Sequence, residues 1–280
     1  MKTVAIIGSG VMGSGIALCS AQSGYDTLVY DINTAALNKA QGYIGQLLDT
    51  SIQKGKSTVE QKATTLSKLT FTSNFDDLKA DLILEAILEK LTLKQELFKK
   101  LEEINDTNTI FATNTSSIPI TQIAATLKHP ERVVGVHFFN PAHLMKLVEI
   151  IKGAATAESV AVKAFSWANS LGKTTVYAAD SPGFIVNRVA RHYYVEALKI
   201  MEEGVTDFDK IDTLMESIGF KMGPFRLMDL IGVDTNYSVT SSMFEQFQFD
   251  SKFRPSRIQK QKVDAGFHGR KTKKGFYNYE

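Results

Sequence analysis

The sequence predicts an α/β fold: a doubly wound, largely parallel sheet followed by a second, all-helical domain. Two observations predict it. Short apolar runs alternate with helical patterns up to about residue 182, the order that produces parallel βαβ units. After Ser181-Pro182-Gly183 the short runs stop, and only helical patterns with Gly and Pro breaks remain. The domains are therefore placed at residues 1–182 and 183–280.

Taken in order, Thr3 to Ile7 is an apolar run that reads as a strand, and Gly8 to Gly13 is a glycine-rich turn. An apolar-periodic helix follows until Gly24, a residue suited to a helix C-terminus. Asp26 to Asp31 reads as the second strand. Further runs at Asp81–Glu85, Thr109–Thr113, Val133–Phe138 and Leu147–Ile151 are separated by helical patterns such as Leu93–Ile104. Beyond the boundary, Phe184 to Glu203 reads as one long helix. Lys252 to Lys274 is rich in Lys and Arg and reads as a solvated face. No internal repeat or low-complexity stretch is present.

The 280 residues are 44% hydrophobic and 22% charged, enough apolar material for a substantial core. A net charge of +2 is too small to argue for nucleic acid or an anionic membrane as the main partner, and leaves any basic patch to be argued locally. The single cysteine, Cys19, cannot form an internal disulfide and reads as a small core residue in a reducing compartment. No stretch approaches the ~18 to 20 apolar residues of a membrane span, and the first strand starts almost at residue 1, leaving no room for a leader. A soluble, cytoplasmic protein without a metal site is expected.

Gly8-Ser9-Gly10-Val11-Met12-Gly13 is a G-x-G-x-x-G between a strand and a helix. Such glycines permit a tight turn, close approach of backbone to a pyrophosphate and close helix–sheet packing, and the helix N-terminus favours the anion. Asp31 at the end of the second strand can accept hydrogen bonds from ribose hydroxyls and would repel a 2′-phosphate, so NAD is favoured over NADP. The bland alternative is three structural glycines and a surface Asp. His137-Phe138-Phe139-Asn140-Pro141 ends another strand, and Glu149 lies in the next apolar run. An imidazole can take a proton from an alcohol near neutral pH while a carboxylate fixes its tautomer. A lone histidine beside two phenylalanines is more often a buried core residue, and spacing alone does not bring Glu149 to it. Asn114-Thr115-Ser116-Ser117 follows a strand, at the sheet edge where ligands bind. Its hydroxyls could hold a substrate oxygen, and Ser117, before Ile118-Pro119, reads as a helix cap.

These segments, together with Glu85-Ala86-Ile87-Leu88-Glu89, Met145 to Glu149, Ser181 to Arg188 and Gly269 to Tyr277, resemble the L-3-hydroxyacyl-CoA dehydrogenase family over essentially the whole chain. The likeness is strongest to its short, monofunctional 3-hydroxybutyryl-CoA dehydrogenases. The resemblance implies a Rossmann-type NAD-binding domain, a helical domain that forms a homodimer, and an active site in the cleft between domains. It implies His137 as catalytic acid/base and Glu149 as its orienting carboxylate, with Ser116 and Asn187 at the reacting end of the substrate. Asp31, Glu89 and Lys94 match positions around the cofactor, and Asn140 and Ser116 approach its nicotinamide side. Ser51, Lys54 and Lys56 fall where the family meets coenzyme A. Ammonium groups suit its phosphates, although Lys-Gly-Lys in a loop is also an ordinary solvated turn. The chain departs from the family pattern at His143, Lys221 and Arg226, which bears on acyl preference and on the dimer.

The implied reaction is NAD-dependent interconversion of (S)-3-hydroxyacyl-CoA and 3-ketoacyl-CoA, with short acyl chains expected. A dehydrogenase of a free hydroxy acid or sugar acid shares the glycine cluster and a related His-x-x-Asn-Pro pattern; the Met145–Glu149 context and Lys54/Lys56 favour the thioester. A non-catalytic NAD-binding relative is the other rival, and retention of His137, Glu149, Ser116 and Asn187 together speaks against it. The two domains use the 280 residues, leaving none for a fused hydratase.

Overall fold

The computed structural model describes residues 1–280. They divide into two compact units, Met1–Ser181 and Pro182–Glu280. The first contains β1 (Thr3–Ile7), α1 (Val11–Gln22), β2 (Asp26–Tyr30), α2 (Thr34–Gln53), α3 (Val59–Ser67), β3 (Leu69–Thr72), β4 (Leu82–Glu85), α4 (Leu91–Ile104), β5 (Ile110–Thr113), α5 (Ile120–Ala124), β6 (Val133–Phe138), β7 (Leu147–Lys152), α6 (Glu158–Ser170) and β8 (Thr174–Ala179). The second contains α7 (Val186–Glu202), α8 (Phe208–Ser217), α9 (Pro224–Ile231), α10 (Val233–Gln246) and α11 (Arg257–Asp264).

The eight strands form one sheet in the order β3-β2-β1-β4-β5-β6-β7-β8. Every neighbouring pair is parallel except β6–β7. β4, β5 and β6 are buried at every position, as expected of central parallel strands covered on both faces. The expected strands are all present. Two more, β3 and β8, lie at the sheet edges and are only partly buried; their weak apolar signal follows from having one neighbour and an open side. The long helix of the second unit starts at Val186 rather than Phe184, whose φ of +49° is incompatible with a helix.

The first core packs Val4, Ile6, Val29, Leu84, Ala112, Val136 and Phe138 against α1 and against α6, which contributes Trp167. α1 buries every residue from Gly13 to Ala21, which its small side chains permit by letting it lie close on the sheet. Cys19 is part of this buried face, and burial raises its thiol pKa. No helix is long and apolar enough to cross a membrane.

The second core gathers Tyr194, Leu198, Ile211, Phe225, Met228 and Phe276. Two buried carboxylates tie in the C-terminal tail. Asp212 accepts from Phe225 N and Arg226 N at the start of α9 (2.8 and 2.9 Å) and from Tyr277 Oη (2.8 Å). Asp229 accepts from Phe276 N, Tyr277 N and Tyr279 Oη, each at 2.9 Å. Arg226 bridges Asp209 and Glu216 (3.2 and 3.1 Å), so its departure from the family pattern is accommodated by local acidic partners.

Candidate active site

The strand order changes direction at β1, with β2 on one side and β4 on the other. Ligands of open α/β sheets bind at such a switch point, outside the carboxyl ends of the strands. A cavity of about 860 Å³ lies there, lined by Gly8 and Gly10 after β1, Asp31 after β2, Ala86 to Leu88 after β4, and Lys100 on α4. The two outer glycines are sterically required. Gly8 has φ +97°, and a Cβ on it would stand 2.6 Å from Ala86 O. A Cβ on Gly13 would stand 1.8 Å from Gly8 O. At Gly10 a Cβ would meet no protein atom within 4 Å, so the backbone there is open to close approach by a ligand. Asp31 accepts from Ser9 N and Oγ (2.9 and 2.8 Å) and from Asn33 N (3.0 Å). Partial burial would raise its pKa, but these hydrogen bonds together hold it below the usual carboxylate range. A carboxylate has room for further donors, so the anchored Asp31 suits a ribose. Glycine turn, helix N-terminus, cavity and carboxylate together fit a dinucleotide.

The second group of residues stands further along the same sheet edge. β6 and β7 are antiparallel, and their register sets His137 directly opposite Glu149. Paired side chains on one face of such a ladder are close neighbours. His137 Nδ1 and Glu149 Oε2 are 2.7 Å apart, with the histidine 4% and the glutamate 0% exposed. Phe139 packs on the imidazole with ring centroids 4.5 Å apart. The register settles what spacing alone left open. His143 is partly buried, and desolvation, followed by the charge of Lys173, lowers its pKa.

Beside β6, the turn after β5 carries Asn114 to Ser117. Asn114 Oδ1 accepts from Phe138 N (2.9 Å), joining the turn to the strand that carries His137. Glu89 Oε1 accepts from Thr115 Oγ1 (2.5 Å), Ser116 N (3.0 Å) and Ser117 Oγ (3.1 Å). Burial would raise the pKa of Glu89, but Lys94 and these donors hold it down. Lys94 is 1% exposed, does not line the cavity, and lies between Glu85 Oε1 (2.6 Å) and Glu89 Oε2 (3.1 Å).

One expectation is corrected. Ser117 does not cap a helix: α5 begins at Ile120 without a side-chain cap from its own N-terminal residue, and the Ser117 hydroxyl donates to Glu89. Asp180 serves the helix instead, accepting from Ile120 N, Thr121 N and Thr121 Oγ1. That partner is some 60 residues away, beyond any local sequence signal. Asn140 is exposed in the β6–β7 connection. Ser51, Lys54 and Lys56 stand apart at the C-terminal end of α2, both lysines exposed. Asn187 lies in the first turn of α7, in the second unit.

Residues 3–181 match the family model described as 3-hydroxyacyl-CoA dehydrogenase, NAD binding domain, and residues 183–279 match the C-terminal domain of the same family. The chain belongs to the 3-hydroxyacyl-CoA dehydrogenase family. Its cofactor is accordingly NAD, and the reading as an NAD-dependent 3-hydroxyacyl-CoA dehydrogenase holds. The chain is 46% identical to 3-hydroxyadipyl-CoA dehydrogenase of Escherichia coli, matching along its whole length but spanning only 59% of that protein. It is 39% identical to a probable 3-hydroxybutyryl-CoA dehydrogenase of Bacillus subtilis, covering all of this chain and 98% of the other. The crystal structure of (S)-3-hydroxybutyryl-CoA dehydrogenase from Ralstonia eutropha superposes with a TM-score of 0.97 at 37% identity, covering 100% of this chain and 99% of that one. The family resemblance therefore extends through both units.

Proposed function

We propose that this chain interconverts a short-chain (S)-3-hydroxyacyl-CoA, such as 3-hydroxybutyryl-CoA, and the corresponding 3-ketoacyl-CoA, with His137 as acid/base. The observation that carries this reading is the buried His137–Glu149 pair, 2.7 Å apart at the carboxyl edge of an NAD-binding sheet. With Nδ1 donating to Glu149, the imidazole presents Nε2 for proton exchange with the 3-oxygen. Glu149 holds that tautomer and stabilises the imidazolium when it forms. Gly8, Gly10, Gly13 and Asp31 would hold the cofactor's adenosine and pyrophosphate, while Ser116 and Asn140 would border its nicotinamide. Bound NAD supplies the hydride acceptor or donor. Ser116 and Asn187 would orient the substrate oxygen, and Glu89 with Lys94 would support this border from beneath.

Coenzyme A would be met by Ser51, Lys54 and Lys56. A homodimer through the helical unit is supported by its exposed Val189, Leu214, Ile218 and Phe220, large apolar side chains that an interface would cover. The free buried thiol of Cys19 suits a cytoplasmic location.

The relative named for 3-hydroxyadipyl-CoA favours a second acyl preference, for a chain ending in a carboxylate. Oxidation of NADH with acetoacetyl-CoA, 3-oxoadipyl-CoA, longer 3-ketoacyl-CoAs and free acetoacetate decides between them. Highest kcat/KM with acetoacetyl-CoA supports the short-chain reading. Preference for 3-oxoadipyl-CoA replaces it, and equal turnover of free acetoacetate overturns the thioester assignment.

A further inference from the structure

Behind the turn that carries Ser116, five residues close into a hydrogen-bonded ring through four side-chain contacts and one backbone amide. Glu85 Oε2 accepts from Thr113 Oγ1 (2.7 Å), and Glu85 Oε1 accepts from Lys94 Nζ (2.6 Å) and Ile87 N (2.7 Å). Lys94 continues to Glu89 Oε2 at 3.1 Å. Glu89 Oε1 receives Thr115 Oγ1, and Thr115 N donates back to Thr113 Oγ1 (3.3 Å). Glu85, Lys94, Thr113 and Thr115 are each at most 1% exposed, while the Glu89 side chain, 38% exposed, forms the rim.

A single lysine between two carboxylates leaves an excess negative charge. Buried charge is tolerated only where hydrogen bonds satisfy it, and the two threonine hydroxyls supply them. Thr115 Oγ1 serves three groups at once: it donates to Glu89 and accepts from Ser117 N (3.3 Å) and Ile118 N (2.9 Å). Every one of these bonds ends in the 114–117 turn or at its support. The turn in turn holds the end of β6 through Asn114 Oδ1 and Phe138 N.

We propose that Thr115 and Thr113 are positioning residues for the reaction: their hydroxyls, acting through Glu85, Lys94 and Glu89, lock the 114–117 turn and so set Ser116 relative to His137. Neither threonine touches the reacting atoms. The inference rests on the proposed role of Ser116 at the substrate oxygen. Since misplacement of about 1 Å in a reacting geometry costs up to ~10²-fold in rate, loss of one hydroxyl beneath the turn falls on kcat more than on binding.

The test compares Thr115→Val, which keeps shape and removes the hydroxyl, with Thr115→Ser and Ser116→Ala, in steady-state reduction of acetoacetyl-CoA by NADH. NADH fluorescence titration and thermal unfolding are run alongside. Thr115→Val is expected to lower kcat by ~10-fold with the NADH dissociation constant held within ~2-fold, and Thr115→Ser to recover most of the loss. Should Thr115→Val not fold, Thr113→Val breaks the ring on its far side and carries the same expectation. Undiminished kcat in the valine variants, beside a clear loss in Ser116→Ala, overturns the ring and leaves the role of Ser116 standing. A serine variant as slow as the valine variant assigns the effect to packing and also overturns it. Normal turnover in Ser116→Ala instead removes the reading of Ser116 itself.

Discussion

His137 and Glu149 are each buried and each other's partner, so neither acts alone. His137→Ala is expected to lower kcat by at least ~10²-fold and Glu149→Gln by a similar order, with the double variant scarcely worse than His137→Ala. NADH binding survives in all three. Steady-state kinetics beside NADH titration on folded protein measures this; near-normal turnover of His137→Ala would return the histidine to a purely structural place. Asp31 has a double duty, because the oxygens that would face a ribose also hold Ser9 and Asn33. Asp31→Ala should therefore narrow the ratio of kcat/KM for NADH over NADPH, and also weaken NADH itself as the glycine turn loses its acceptor. Equal use of both cofactors by the unaltered chain would remove Asp31 from its assigned place.

At the scale of elements, the start of α1 leaves no space for a methyl group. Gly13→Ala forces apart Gly8 and the first helical turn, and is expected to abolish NADH binding while the second unit keeps its helices, as read by fluorescence titration and circular dichroism. Normal affinity in that variant would mean the turn yields more easily than a 1.8 Å approach allows. The end of α2 makes a separate prediction. Replacing Lys54 and Lys56 by Ala should raise KM for the acyl-CoA and leave NADH affinity nearly unchanged, whereas unaltered kinetics would put the coenzyme A site elsewhere. The central elements are legible from sequence because burial on both faces makes β4 to β6 apolar runs broken only near their carboxyl ends, at Glu85, Thr113 and His137, and because Gly8 to Gly13 obeys a steric rule written in glycines. The edge strands β3 and β8 were not, since exposed threonines dilute their apolar signal. Nor were the bonds from the start of α5 to Asp180 and from Thr113 to Glu85, which join residues distant in sequence. The His137–Glu149 pair lay between these cases: both residues were visible, but only strand register brings them together.

For the whole molecule, acid sensitivity follows from carboxylates held below their ordinary pKa. Asp31, Asp81, Glu89 and Glu102 are all so held; burial opposes the shift, leading in Asp31, Glu89 and Glu102, and donors such as Ser9, Lys2, Lys94 and Lys128 N overcome it. A depressed folded pKa means that the unfolded chain binds more protons, so the stability these groups contribute is present above the usual range near ~4 and is lost as pH falls through the folded values. Asp212, raised chiefly by its burial, acts in the opposite sense but is outnumbered. Tm should therefore fall as pH is lowered from about 5 towards 3; a rise in Tm over that span, followed by circular dichroism, would contradict it.

The reversal of chain direction between β6 and β7 also governs where the chain tolerates a change in length. Ladder hydrogen bonds set the register of the acid/base pair, not the connecting residues 139–146. A change of length in that connection leaves the pair in register while moving Asn140, whereas one residue added within β6 or within β7 turns the histidine or the glutamate, respectively, to the opposite face. Residues 133–152 thus carry the acid/base pair in their ladder and not in the loop that joins its two halves.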